Sequence, residues 1–401
     1  MKTDPIPTDV PVDQALRIIR ETVEPRISRV KVKALNAINK VLAMDVSAQR
    51  DVPRFDNSAM DGYVFRKEDL DKGMKQFPVK GEIRPEDVKP AALEAETCAR
   101  IMTGAPVPEN GTAVIPVELV VEKNGKVHVQ DIPGRNPIRK RGEGYHKGNS
   151  LLKKGTIIRP YEAGLIIESG NTECEIIKPV KIGLQVTGSE IDESNDTNGP
   201  VLESLISNWP GVEITRIPVL SDEEDEVTAR MQELADHFDL VLTTGGISAG
   251  KYDYLLPVMN NLNARTLIRK IQQKPGKPFT VTMIDDLFFC HLPGNPVSAV
   301  FCAEIYVRFL LFRMLGLTFP AGSVSSETAL ENHRDEKTLF VPGYLSSDSN
   351  GKLSVHTEAR MRSHLLQLYS DQNVYVRIDP STSYQPGEMV PVIPFSTTHL
   401  L

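Results

Sequence analysis

Cysteine is scarce in this 401-residue chain, and none of it is paired for metal or disulfide chemistry. Cys98, Cys174, Cys290 and Cys302 form no Cys-x-x-Cys pair, which removes a zinc ribbon and a disulfide framework and leaves four reduced thiols. Basic residues are not in excess. The 46 Lys and Arg stand against 53 Asp and Glu, and the resulting charge of −7 excludes a general nucleic-acid binder while allowing a local cationic pocket. No apolar run is free of charge over a membrane's width. The longest, 296–317, carries Glu304, Arg308 and Arg313 and reads as a core helix, not a span. Met1-Lys2-Thr3-Asp4-Pro5 lacks the apolar centre of a secretory leader. The expectation is a cytoplasmic protein that touches neither membrane nor nucleic acid. The Gly-x-Gly-x-x-Gly and Walker A fingerprints are missing as well.

What the chain has in quantity is turn chemistry, with 29 Pro and 27 Gly, and a length that exceeds one ordinary core. Val12, Leu16, Ile19 and Val23 are spaced for one face of a helix. From about 30 to 180, short β-like runs alternate with Gly and Pro, as in Thr112–Val117 and Gly125–Val129. From about 178 to 320 the rhythm becomes β-α-β. Strands are expected at Val180–Val186, Val212–Val219, Asp239–Thr243, Phe279–Met283 and Phe288–Leu292, and helices at Pro200–Asn208, after Ser221 and at Pro296–Leu315. Such alternation predicts a doubly wound, mostly parallel sheet. β patterning returns after about 325, at Val374–Ile378 and Met389–Ile393. The fold class is therefore multidomain α/β plus β. The boundaries read as 1–50 with 140–178, 51–139 (β-rich), 179–322 (α/β) and 323–401 (a small β-barrel-like domain).

An open α/β sheet binds ligands beyond the carboxyl ends of its strands. Three glycine-bearing segments follow such ends: Thr187-Gly188-Ser189-Glu190, Thr243 to Gly250 with Ser248 inside it, and Leu292-Pro293-Gly294-Asn295-Pro296. Glycine permits close backbone approach, and the helix N-termini that follow favour anions. Nearby, Lys274-Pro275-Gly276-Lys277-Pro278 holds two lysines in a stiff elbow, suited to preorganised stabilisation of an oxyanion. Glu190, Asp222 and Asp253 lie at or near strand ends. Singly they are ordinary caps or surface groups; as a set they suit Mg²⁺. His291 reads as a structural histidine, since nothing in sequence pairs with it. Asp51 to Tyr63 is dense in Asp, Asn and small residues and fits equally a network of Asx turns or a binding loop.

These segments together resemble the molybdopterin molybdenumtransferase family (MoeA), which includes the C-terminal domain of gephyrin. The resemblance runs from about residue 10 to the end. It is carried by Phe55-Asp56-Asn57-Ser58-Ala59-Met60-Asp61-Gly62-Tyr63, Arg100-Ile101-Met102-Thr103-Gly104-Ala105-Pro106, Asp196-Thr197-Asn198, Gly245-Gly246-Ile247-Ser248, Lys274-Pro275-Gly276-Lys277-Pro278 and Leu292-Pro293-Gly294-Asn295-Pro296-Val297-Ser298. It implies a molybdopterin-binding-like α/β domain and an elongated homodimer with a shared active site. The implied reaction inserts molybdate into adenylylated molybdopterin, with Mg²⁺ present and AMP released. It also implies an adenylyltransferase upstream and molybdoenzyme maturation proteins downstream. By the same resemblance Asp61, Thr103, Glu190, Lys270 and Lys274 are catalytic. Ser248, Asp253, Lys277, Pro293, Gly294, Asn295, Ser298 and Ser363 bind substrate, and Glu190 and Asp222 hold Mg²⁺.

The chain departs from the family pattern in three places. Gly144 follows Arg141-Gly142-Glu143 where Asp is usual. Pro342 follows Phe340-Val341 where an Arg is frequent. Arg360-Met361-Arg362-Ser363 replaces a glycine-rich turn. Arg360 or Arg362 would restore the missing charge. The competing reading is a divergent paralogue that binds a molybdopterin precursor or a protein partner without turnover, or that inserts tungstate.

Overall fold

The structure is a computed structural model that describes residues 8–188, 191, 195–220, 224–245, 255–332, 336–357 and 366–397. The chain forms two compact units. One comprises Met1–Val30, Asn39–Ala43 and Ile176–Leu401, and the other Lys31–Ile38 and Met44–Glu175.

The first unit is built on a seven-stranded sheet. Its elements in chain order are β1 (Thr8–Val10), α1 (Val12–Thr22), β2 (Val180–Thr187), α2 (Asn198–Ser207), β3 (Val212–Leu220), α3 (Glu224–His237), β4 (Leu240–Thr244), α4 (Leu255–Asn261), β5 (Arg265–Ile271), β6 (Thr280–Ile284) and β7 (Leu287–Leu292). The strand order is β1-β5-β6-β7-β4-β2-β3. Strands β7, β4, β2 and β3 run parallel, with Ile182 opposite both Leu240 and Ile214. All five residues of β4 are buried, as a central strand covered on both faces requires. One cover is a cluster in which Val227, Met231 and Leu234 of α3 and Val258 and Met259 of α4 meet Val241 and Phe289.

The expected parallel sheet is thus found, with a mixed edge. β6 is antiparallel to both β5 and β7, while β1 adds parallel to β5. Neither β1 nor β5 is legible beforehand. β1 is three residues long, and Arg265-Thr266-Leu267-Ile268-Arg269-Lys270-Ile271 places charges where an inner strand would not.

The long helix after β7 is interrupted. It runs from Pro296 to Cys302, passes through a π-helical turn at Ala303–Val307 and continues as Arg308–Met314. Asn295 caps its start by accepting the Ser298 N–H at 3.2 Å, and Pro296 supplies the preset φ of a first turn. Two of the three charges that argue against a membrane span, Glu304 and Arg308, form a buried pair. Arg308 lies 2.7 Å from Glu304, both about 2% exposed, with Ser396 donating to Glu304 and Arg308 donating to the Pro394 carbonyl. Among the described residues no helix is long and apolar enough to cross a membrane.

Residues 322–394 close into a five-stranded barrel in which Thr338–Ser347 pairs with both Leu353–Thr357 and Val374–Ile378. Its interior holds Val341, Val355, Val374, Val376, Val390 and Val392. The barrel joins the α/β sheet through Phe340 and Tyr375, which pack on Phe301 at 4.8 and 5.2 Å between ring centroids. Arg377 adds a bidentate contact to Asp13 of α1 at 2.7 and 2.8 Å.

The second unit centres on a six-stranded sheet, whose Gly62–Phe65 strand has both faces buried. Tyr63 and Phe65 enter one core cluster and Val64 the other, as a period of two dictates. The β-rich reading of residues 30–180 misses one helix, Pro160–Glu168. It starts with Pro at its first position and with Glu162 bonded back to the Arg159 N–H at 2.9 Å, a capping signal without the usual Ser, Thr, Asp or Asn.

Candidate active site

The strand ends of the α/β sheet meet as topology requires. Thr187 Oγ1 donates to the Thr244 carbonyl at 3.0 Å, joining the ends of β2 and β4. Gly245 continues from β4 at φ +89°, where a Cβ would lie 2.6 Å from the Thr187 carbonyl oxygen, so only glycine fits. Gly294, beyond β7, has room: its Cβ would meet only the Gly245 Cα, at 3.7 Å. Asn198 at the start of α2 donates to the Gly294 carbonyl at 2.8 Å, and Asp196 accepts the Gly199 N–H at 2.8 Å. A cleft of about 140 Å³ opens here, lined among others by Thr187, Asp196, Asn198, Thr244, Gly245 and Gly294. Among the described residues the Asn198 Oδ1 is buried with no partner, an acceptor left for a ligand's N–H or O–H.

The elbow reaches the same sheet edge by a different route. β6 runs antiparallel to β7, so the residues preceding β6 lie beside the carboxyl end of β7, where Thr280 faces His291. Gln273 and Lys274 pair with Thr338 and Leu339 of the barrel, and Ile271 N–H donates to the Lys277 carbonyl at 2.9 Å. Lys270, Lys274 and Lys277 are all half-buried. Lys270 takes φ +64° near the carboxyl end of β5. Lys277 meets Asp9 of β1 at 3.0 Å, whereas among the described residues Lys274 has no carboxylate partner. Ser298 is buried in the first turn of the helix after β7, just past the exposed Gly294 and the buried Pro293.

The fold therefore brings Lys270, Lys274, Lys277, Pro293, Gly294, Asn295 and Ser298 to one edge. Glu190, Asp222, Ser248, Asp253 and Ser363 lie outside the described residues, as do Arg360 and Arg362. Among the described residues no group of three His, Cys, Asp or Glu side chains could hold a metal. His291 is a strut: fully buried, it bridges Thr243 and Thr282 Oγ1 at 2.9 Å each, and burial pushes its pKa down to about 3. All four cysteines are buried free thiols, and burial raises their pKa values.

In the second unit Asp61 accepts both the N–H and the hydroxyl of Thr103, at 2.7 and 2.8 Å. These bonds hold its carboxyl below the usual range while leaving it exposed. Asp51 is lowered first by the Lys147 N–H and then by Arg141. Asp56 is raised by burial, but Lys140 and the Arg141 N–H outweigh that and lower it. Asx-type bonds and an exposed carboxylate thus coexist in the Asp51–Tyr63 segment.

The departures have structural settings. A Cβ at Gly144 would stand 3.0 Å from the Val52 carbonyl oxygen, which already accepts the Gly144 N–H, so an aspartate there requires a small backbone shift. Pro342 sits within the barrel strand opposite Tyr375. Arg377, opposite Phe340 on the neighbouring strand, is engaged by Asp13 and Asp379 and is no stand-in.

Sequence reasoning passes over Gln273 and Asp9, which bond to the elbow, and Tyr306, which bonds to Gln273. Asp9 is 268 residues from Lys277, and no local signal announces such a contact.

Three family models match the chain in order. They are the MoeA N-terminal region (domain I and II) at residues 10–170, the probable molybdopterin binding domain at 183–313, and the MoeA C-terminal region (domain IV) at 328–395. The molybdopterin molybdenumtransferase of Haemophilus influenzae is 30% identical over 380 residues, covering 91% of this chain and 93% of that protein. That of Bacillus subtilis is 28% identical, with 96% and 94% covered. Among solved structures, the molybdopterin biosynthesis moeA protein of Pyrococcus horikoshii superposes with a TM-score of 0.74 at 25% identity, covering 96% of this chain and 99% of that one.

Proposed function

The chain belongs to the MoeA family of molybdopterin molybdenumtransferases, and from that premise we propose how its residues carry out molybdenum insertion in cofactor biosynthesis. The observation that carries the reading is the convergence of the elbow lysines and Ser298 on the sheet edge that also forms the Asn198–Gly294 cleft. Lys274 and Lys277 act as point charges on molybdate, a tetrahedral dianion, and the Ser298 hydroxyl donates to it. Lys270 adds charge from β5. The cleft takes the adenylylated molybdopterin, with the orphaned Asn198 Oδ1 as one acceptor. Ser248, Asp253 and Ser363 complete the substrate contacts, and Asp61 with Thr103 presents an ionised carboxylate to the substrate.

Glu190 and Asp222 follow in the chain the register-paired strand ends Thr187 and Leu220. Two carboxylates are hard oxygen donors of the kind Mg²⁺ takes. Glu190 and Asp222 would hold Mg²⁺, which would supply charge neutralisation to a bound phosphate. Insertion exchanges oxo groups of molybdate for the two dithiolene sulfurs, the displaced oxygen leaving as water, and hydrolysis of the phosphoanhydride releases AMP. The working form is a cytoplasmic homodimer with a shared site.

The test is reconstitution of purified protein with adenylylated molybdopterin, Mg²⁺ and either molybdate or tungstate, following AMP release. Release with molybdate is expected. Lys274→Ala should slow it about 10- to 100-fold, the worth of one charged hydrogen bond. No release with either anion would sink the insertase reading in favour of the non-catalytic paralogue. Release with tungstate alone would identify the chain as a tungstate inserter.

A further inference from the structure

The elbow is propped from below by buried polar groups that the insertion chemistry does not use. Gln273 is 1% exposed and Tyr306 is fully buried. The Tyr306 hydroxyl donates to Gln273 Oε1, and Gln273 Nε2 donates to the Gly276 carbonyl at 3.2 Å. The same carbonyl accepts the Phe279 N–H at 3.1 Å and faces the Cys302 thiol at 3.6 Å. Gly276 is the apex between the two lysines. At φ +80°, with a Cβ that would fall 2.4 Å from Cys302 Sγ, the position takes only glycine. Tyr306 lies in the π-helical turn Ala303–Val307, and its ring stacks on Phe279 at 4.9 Å.

Burying a phenol and a carboxamide in a dry core costs stability unless both are bonded. Apolar residues of similar volume would fill the space without that cost. What the polar chain adds is direction, because it fixes one carbonyl oxygen and with it the backbone between Lys274 and Lys277.

We propose that Gln273 and Tyr306 are positioning residues that set the separation of the two elbow lysines and thereby which tetrahedral oxyanion the site prefers. The proposal rests on the reading of the elbow as the oxyanion site. Without the network the apex can rock, and the lysines lose the spacing matched to the larger anion. A smaller dianion such as sulfate then gains relative to molybdate.

The experiment is calorimetric titration of the full-length protein with molybdate and, separately, with sulfate. The variants are Tyr306→Phe, Gln273→Met, the double variant and Lys274→Ala. Each single network variant is expected to weaken molybdate binding roughly fivefold to tenfold, the scale of one net hydrogen bond, and to lower the molybdate-to-sulfate ratio. The double variant should match the single ones, because both break one chain. Should Tyr306→Phe not fold, Gln273→Met carries the same comparison. A folded Tyr306→Phe or Gln273→Met that keeps the wild-type ratio overturns the proposal, since a purely structural role would lower the melting temperature and leave selectivity alone. If Lys274→Ala binds molybdate as wild type does, the elbow is not the oxyanion site and the underlying reading fails. If Lys274→Ala loses binding while the network variants do not, only the positioning role is lost.

Discussion

The elbow at Lys274–Pro278 and the Asp61–Thr103 pair, both proposed to serve the reaction, are held in opposite ways. The elbow's charges are half-buried and stand on a buried scaffold of Gln273, Tyr306, Cys302 and a barrel strand. Asp61 is exposed and is held by two short bonds from a single neighbour on an adjacent loop. A scaffold of the first kind resists rearrangement and suits discrimination between similar ions. A carboxylate of the second kind is cheap to keep ionised and free to meet a ligand. Substitutions at the two places should therefore fail differently, in stability at one and in activity alone at the other.

The largest effect belongs to the helix beneath the elbow. Arg308→Met leaves the buried Glu304 without its counter-charge and should cost about 3–5 kcal/mol in urea unfolding, whereas Glu304→Leu with Arg308→Met should recover most of it. Recovery failing in the double variant would mean that the pair holds the 394–396 segment by direction as well as charge. Next come the strand-end glycines. Gly245→Ala meets a backbone carbonyl at 2.6 Å in a left-handed conformation and should cost about 2–3 kcal/mol. Gly294→Ala has space and should change stability by less than about 0.5 kcal/mol while weakening ligand binding.

A pH-dependent effect comes from His291. Its native pKa is about 3, below the unfolded value near 6.5, so between these values the unfolded chain binds the extra proton. Stability should be full above about pH 6.5 and fall by roughly 1 kcal/mol per pH unit as pH drops toward 3. His291→Asn should flatten that slope in pH-dependent melting. Smallest in stability is Asp61→Asn, which keeps an acceptor for Thr103. An unchanged melting temperature with AMP release reduced on the order of tenfold is expected. A lowered melting temperature would mean that Asp61 is structural, and the contrast with the elbow would collapse.

Much of this site was legible because its parts are local. Asn295-Pro296 reads as a cap and first helical residue, and it is one. Gly245 and Gly276 sit where the backbone turns left-handed, as their neighbouring strand ends suggest. The β-α-β rhythm placed β2, β3, β4 and β7 within a residue or two. Less legible were β5, whose charges belong to a strand near the sheet edge, and the helix at Pro160–Glu168, capped by an unusual residue.

The sequence by itself determined the order of elements, the positions that only glycine can occupy and the presence of two lysines in a stiff turn. These follow from dihedral limits and from periodicities that act over a few residues. Tertiary structure decided which charges are spent and which are free. Arg377 is taken by Asp13, Glu304 and Arg308 neutralise one another, and Gln273 finds Tyr306. Apart from Glu304 and Arg308, which are four residues apart on one helix, these partners are set by strand order and barrel closure, which bring together residues whose separation in sequence carries no signal.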